Sequence, residues 1–120
     1  MKIFIAHSSS FDFKKELYKP LRESDLNTKH EIILPQEEKE TITKDIIKDV
    51  DILIAEVSYP STGQGIELGW ADIFNIPIVC IFKEGSKISQ SLNHITNNMI
   101  SYKDNKDMIA KLDKVLKRIT

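Results

Sequence analysis

Three short runs dominated by β-branched and other apolar residues, Lys2–Ala6, Asp51–Val57 and Ile78–Phe82, constrain the architecture most. A strand with one wet face alternates apolar and polar side chains. A strand apolar at nearly every position is covered on both faces, as in parallel sheets flanked by helices. Between these runs lie longer segments with helical spacing. Phe13–Leu26 puts Phe13, Leu17 and Leu21 on one face with Tyr18 beside them; Asp12 or Ser10 can cap its start, and Pro20 predicts a kink or an early end near Lys19. Thr41–Val50 reads as a helix with Thr41 or Thr43 near its start and Ile42, Ile46, Ile47 and Val50 inward. Gly65–Asn75 is a further helix. Lys106–Ile119 closes the chain, with Met108, Ile109, Leu112, Val115, Leu116 and Ile119 inward. Glu31–Leu34, ended by Pro35, and Met99–Tyr102 read as short strands, and a short helix is expected around Ile88–His94.

Strands alternating with helices imply βαβ units, and right-handed crossovers leave few topologies. The expected fold is a three-layer α/β/α sandwich on a five-stranded parallel sheet in the flavodoxin-like order 2-1-3-4-5. A chain of 120 residues suits one such domain. In these sheets ligands bind at the carboxyl ends of the strands, where the strand order switches. That places the chemistry in the loops after the first and third strands, His7–Asp12 and Ser58–Gly65.

Composition excludes several alternatives. Lys and Arg number 17 against 18 Asp and Glu, a net charge of −1, which argues against binding nucleic acid by bulk charge. The single cysteine, Cys80, rules out an intramolecular disulfide and a multi-cysteine zinc site. Its place within Ile78–Phe82 reads as a buried structural thiol. No apolar run approaches the roughly 20 residues that span a bilayer, and the opening residues are too short an apolar run for a signal peptide. A cytoplasmic protein is expected. No histidine pair has ligand spacing with a carboxylate, so no metal is expected, nor any cofactor.

The loop after the first strand carries His7, Ser8, Ser9 and Ser10 and leads into a helix start, a combination suited to a phosphate or a sugar. It has no glycine, so it is neither a P-loop nor a dinucleotide fingerprint. His7 ends the strand in the expected crevice, whereas His30 and His94 read as surface residues. The loop after the third strand holds Ser61, Gly63 and Gly65, with glycines that permit a sharp turn and a close approach to a ligand. Glu67 then falls in the first turn of the next helix, where the dipole favours its charged form. A carboxylate ionised there can act as a nucleophile or stabilise a cation. Gly69, one turn on, suggests close packing of that helix on the sheet. Glu56, near the end of the third strand, needs a basic partner or a place in the crevice.

Asp51-Ile52-Leu53-Ile54-Ala55-Glu56-Val57 followed by Pro60-Ser61-Thr62-Gly63-Gln64-Gly65-Ile66-Glu67-Leu68-Gly69-Trp70-Ala71 resembles the nucleoside 2-deoxyribosyltransferase family, nearest its 2'-deoxynucleoside 5'-phosphate N-hydrolase branch. The resemblance covers about two thirds of the chain, and its Gly-x-Gly-x-Glu-Leu-Gly core is the specific part. It implies retaining N-glycoside cleavage of a nucleoside or its 5'-monophosphate. Glu67 would attack the anomeric carbon, the base would leave, and water or a second base would resolve the glycosyl-enzyme. It further implies that Ser61 contacts a 5'-phosphate, that the Ser8–Ser10 loop completes the phosphate shell, and that Ser91 reaches it from the other subunit of a homodimer. Trp70, Ile73 and Phe74 add apolar surface that such a dimer would bury.

The chain also departs from the family pattern. Family members carry an aspartate on the helix before the third strand; the matching position here is Thr43, and Asp45, two residues later, is the carboxylate that could replace it. The hydrolase branch has an aromatic residue in its first strand where Ile3 stands, and an arginine in the following loop that Ala6-His7-Ser8-Ser9 lacks. Deoxyribose or ribose, and hydrolysis or transfer, remain open alternatives. Two other readings compete. Ile3–Ser9 also looks like the opening of a TIR-type domain, some of which cleave NAD at its glycosidic bond. Loss of the family aspartate also fits a nucleotide-binding or interaction module without turnover.

Overall fold

In a computed structural model, which describes residues 1–37 and 42–119, the five strands are β1 (Lys2–His7), β2 (Glu31–Ile33), β3 (Ile52–Glu56), β4 (Ile78–Lys83) and β5 (Asn98–Tyr102). They form one parallel sheet in the order β2-β1-β3-β4-β5, as expected. Alternate residues of the central strands feed two cores. On one face Ile3, Ile5, Ile52, Ile54, Val79 and Ile81 meet Leu17, Tyr18 and Leu21 and the helix α5 (Asn105–Ile119). On the other, Phe4, Ala6, Leu53, Ala55 and Cys80 meet the short helix α3 (Lys44–Lys48) and α4 (Thr62–Ile73). Double coverage is why these strands are apolar along their length. Cys80 is fully buried, and burial pushes its thiol up to about 11.

The helical segment expected over Phe13–Leu26, with a kink or early end near Lys19, changes its winding at that point. Lys14–Tyr18 winds as a π-helical turn, closed by Lys19 N–H donating to the Lys14 carbonyl, and passes into α1 (Lys19–Arg22) and then α2 (Leu26–Lys29). Pro20, at the start of α1, has no N–H to continue the α-helical ladder, which accounts for the change of winding here. Asp12 Oδ1 accepts from Lys15 N–H at 3.3 Å, so Asp12 serves as the cap. The helix expected from Thr41 is shorter: Thr43 holds the N-cap position of α3, and Thr41 lies outside the described residues. Ile42, expected inward, is 85% exposed because it precedes the helix. Ile119, also expected inward, is the last residue of α5 and is exposed. Among the described residues no helix is long and apolar enough to cross a membrane.

The largest local difference concerns α4. It begins at Thr62, not Gly65, because Ser61 caps it, its side chain accepting from Gln64 N–H at 3.4 Å. Gly63 and Gly65 therefore lie in its first turn and not in a loop. Gly69 does not mark close packing on the sheet: it is exposed, and an added Cβ would meet nothing within 4 Å.

Candidate active site

The register pairs His7 with Glu56, so β1 and β3 end side by side at the switch in strand order. Gln64 fastens α4 across this switch. It is buried, and its Nε2 donates to the Glu56 carbonyl at 2.5 Å and to the Ala6 carbonyl at 3.4 Å. The start of α4 is thereby held over the strand ends. Beside it opens a cleft of about 460 Å³. Its wall along α4 is Ser61, Gly63, Ile66, Glu67 and Trp70, a stripe at helical spacing. His7 and Ser9 close it from β1, Pro35 and Gln36 from the segment after β2, and Ile42 and Thr43 from the approach to α3.

Among the described residues, Glu67 is the carboxylate that lines this cleft. Thr43 Oγ1 donates to its Oε2 at 2.7 Å. Burial raises the Glu67 carboxyl above its ordinary value, and the Thr43 hydrogen bond opposes this by favouring the charged form. His7 is buried and bonded at both nitrogens. The Ser8 carbonyl can only accept, so Nδ1 carries the proton at 2.8 Å from it. Nε2 then accepts from the Tyr18 hydroxyl at 2.6 Å, and that hydroxyl accepts from Gln36 N–H at 3.0 Å. Burial lowers the His7 pKa, partly offset by the Ser8 bond, so the ring is held neutral. Burial, with a smaller contribution from the charge of Glu67, pushes Tyr18 up to about 12. One chain of hydrogen bonds thus runs from the end of β1 to the far wall of the cleft.

The structure sorts the residues singled out in the sequence. Glu67, His7, Ser9, Ser61 and Gly63 share the cleft. Ser8 and Ser10 do not line it: their hydroxyls bond each other at 2.8 Å, and Ser8 is buried. Ser9 alone of the three turns to the cleft, where it donates to Gln36 Oε1 at 3.3 Å. Asp45 is exposed on α3 and is not part of the wall. Among the described residues Glu56 neither pairs with a base nor lines the cleft. It is fully buried, and it accepts from Ser58 N–H at 2.6 Å, from Ser58 Oγ at 3.0 Å and from the Tyr102 hydroxyl. That set satisfies the carboxylate internally, tying β3 to β5. The Tyr102 phenol is raised well above its usual range by burial and by the Glu56 carboxylate.

Gly65 and Ser91 lie on the opposite side of α4, along a second groove of about 360 Å³ with Gly69, Leu68, Leu92 and Ile95. Ser61 and Gln64 line both. On α4, Ile66 and Ile73 are exposed, while Trp70 and Phe74 pack partly onto the core.

Sequence reasoning missed Gln64, Gln36, Tyr18 and the apolar wall of Ile42 and Ile66. Gln64 had a readable signal: with Ser61 as cap, it is the residue whose N–H the cap receives. Among the described residues no group of three or more His, Cys, Asp or Glu side chains converges as a metal site would.

No family model matches the chain. Curated relatives do. A Thermofilum pendens protein provisionally named 2'-deoxynucleoside 5'-phosphate N-hydrolase 1 is 31% identical over 85 residues, which is 65% of this chain and 59% of that protein. A Syntrophotalea carbinolica protein of the same provisional name is 42% identical over 45 residues, 38% of this chain and 32% of that one. The human 5-hydroxymethyl-dUMP N-hydrolase is 45% identical over 40 residues, 33% of this chain and 23% of that one. The chain thus matches less than two thirds of the length of each of these relatives. A solved Clostridium botulinum CMP N-glycosidase superposes with a TM-score of 0.70 at 25% identity, over 94% of this chain and 99% of that one. The likeness to the nucleoside 2-deoxyribosyltransferase family, on the side of its N-hydrolase branch, stands. The fold agrees with it over nearly the whole length of the solved N-glycosidase chain.

Proposed function

We propose that this chain cleaves the N-glycosidic bond of a nucleoside 5'-monophosphate through Glu67. The observation that carries the reading is a half-buried carboxylate on the cleft wall, one turn beyond an open helix N-terminus and next to an apolar patch. The helix acts as a ruler. At about 1.5 Å per residue, Gly63 precedes Glu67 by roughly 6 Å along the axis and Trp70 follows it by roughly 4.5 Å. The amides of Thr62 and Gly63 precede the first helical bond, Gly65 N–H to the Ser61 carbonyl at 3.1 Å, and they suit a phosphate together with the Ser61 and Ser9 hydroxyls. The sugar would then sit against Glu67, and the base against Ile42, Ile66 and Trp70.

In that pose one Glu67 oxygen bonds to C1' as the C1'–N bond breaks, and the base leaves with the bonding pair. Water then attacks C1', gives up a proton and releases the carboxylate; a second base in place of water would give transfer. The relatives' names add support from outside the chain, since deoxynucleotide N-hydrolases and a CMP N-glycosidase share this bond and this phosphate. The active unit is a homodimer in this reading, with Ser91 reaching the phosphate of the partner's site. The test is release of free base from a panel of ribo- and deoxyribonucleosides and their 5'-monophosphates, followed by liquid chromatography. Monophosphates are expected to react, and Glu67→Gln to slow release by a factor on the order of 10³ or more with the fold intact. Full turnover in Glu67→Gln would overturn the nucleophile.

A further inference from the structure

Thr43 makes an unusual choice. It stands at the N-cap of α3, where a threonine ordinarily accepts from the first turn of its own helix, yet it makes no side-chain capping bond. Its hydroxyl instead crosses to α4 and donates to Glu67 Oε2 at 2.7 Å. A threonine that gives up a cap to hold a half-buried carboxylate in a cleft serves the carboxylate. We propose that Thr43 is the positioning residue of this site, orienting Glu67 so that its second oxygen faces the cleft, and that a neutral hydroxyl donor does this work in place of a neighbouring carboxylate. This rests on the glycosidase reading for its purpose, but not for its geometry.

Among the described residues the surroundings leave this task to Thr43. From β1 the facing group is His7, neutral and saturated by Ser8 and Tyr18. From the π-helical turn it is Tyr18, whose proton is committed to His7 and whose neighbouring Arg22 is engaged by Glu37. From α3 the charged groups next to Thr43, Lys44 and Asp45, are both exposed. Among the described residues the hydrogen bond to Glu67 comes from Thr43. A second carboxylate here would repel an ionised Glu67; a hydroxyl donor favours the charged form that a nucleophile needs.

The test compares wild type, Thr43→Ser and Thr43→Val. Glu67 is followed directly by NMR of a ¹³C-labelled carboxyl, and function by the acid limb of kcat/KM for base release, with thermal unfolding as a control on folding. In Thr43→Val the Glu67 midpoint is expected to climb by about one pH unit, the acid limb to move with it, and kcat to fall more than KM rises. Thr43→Ser is expected to restore both. Because Thr43 does not cap α3, the melting temperature of Thr43→Val should change little at a pH below the Glu67 midpoint, and fall by a few degrees at pH 7, where the raised midpoint is itself a loss of stability. Coincident Glu67 titrations in wild type and Thr43→Val would overturn the positioning role. A wild type that releases no base, with the midpoint still moving in Thr43→Val, would support the positioning role and overturn the glycosidase reading.

Discussion

Glu67 is half-buried, while the nucleophilic role proposed for it needs a charged carboxylate, and these two conditions oppose each other. Its folded-state pKa lies above its ordinary 4.5, so between the two values the folded protein holds a proton that the unfolded chain has lost. Stability therefore falls as pH rises through that window, and above it the cost is present in full. Glu67→Gln removes the cost while its amide oxygen can still accept from Thr43. The variant is expected to unfold at a higher temperature than wild type at pH 7, and to converge with it below pH 4, in calorimetric scans across pH. A variant less stable than wild type at pH 7 would contradict the burial argument. Tyr18 makes the opposite case. Tyr18→Phe leaves His7 Nε2 and Gln36 N–H without their partner, and is expected to lower stability by about 1–3 kcal/mol in urea unfolding. At this scale the sequence showed the residue types but not their pairings. Thr43 and Glu67 belong to different elements, so no local pattern joins them, and Thr43 stood out as a helix start and as a departure from a family motif, not as a partner of Glu67. Glu56 was visible as a problem, a charge within an apolar strand. Its solution, Ser58 with Tyr102 from the far edge of the sheet, depends on strand order and was not readable locally.

Elements were legible where burial alone decides them. β1, β3 and β4 are apolar because helices cover both faces, and α5 shows its inward stripe because its outer face is charged. Elements set by a cap or a missing N–H were read less well. Two glycines flanking Gln64 suggested a loop, while Ser61 was already capping a helix around them. Pro20 announced a disturbance in the first helical segment but not its π-helical form. The corrected view of α4 makes its own prediction. Gly69 is an interior, exposed helical residue without positive φ, and an added Cβ meets open space. Gly69→Ala should stabilise the monomer by about 0.5–1 kcal/mol through helix propensity, measured by urea unfolding at low protein concentration. A destabilised monomer would mean that the glycine answers a packing demand within the chain.

The sheet order, the two-sided core and the site at the strand switch all follow from the alternation of strands and helices, and so could be read from the sequence. Assembly is different, because it depends on surfaces that nothing within the chain covers. α4 divides its surroundings into two grooves, with Glu67 on one side and Ser91 on the other, and Ser61 between them. If Ser91 serves a phosphate at a Glu67 cleft, that cleft belongs to another copy of the chain. The consequence can be tested by mixing. Glu67→Ala and Ser91→Ala, each impaired alone, combine into dimers in which one site holds Glu67 from one chain and Ser91 from the other, while the second site lacks both. Each mixed dimer should recover about half of the wild-type rate per dimer, and recovery should rise with the mixing ratio to a maximum near equal amounts. Two impaired variants that recover nothing while sedimenting as mixed dimers would place Ser91 outside the shared site. Sedimentation as monomers at micromolar concentration would remove the dimer itself, and the phosphate would then rest on Ser61, Ser9 and the start of α4 alone.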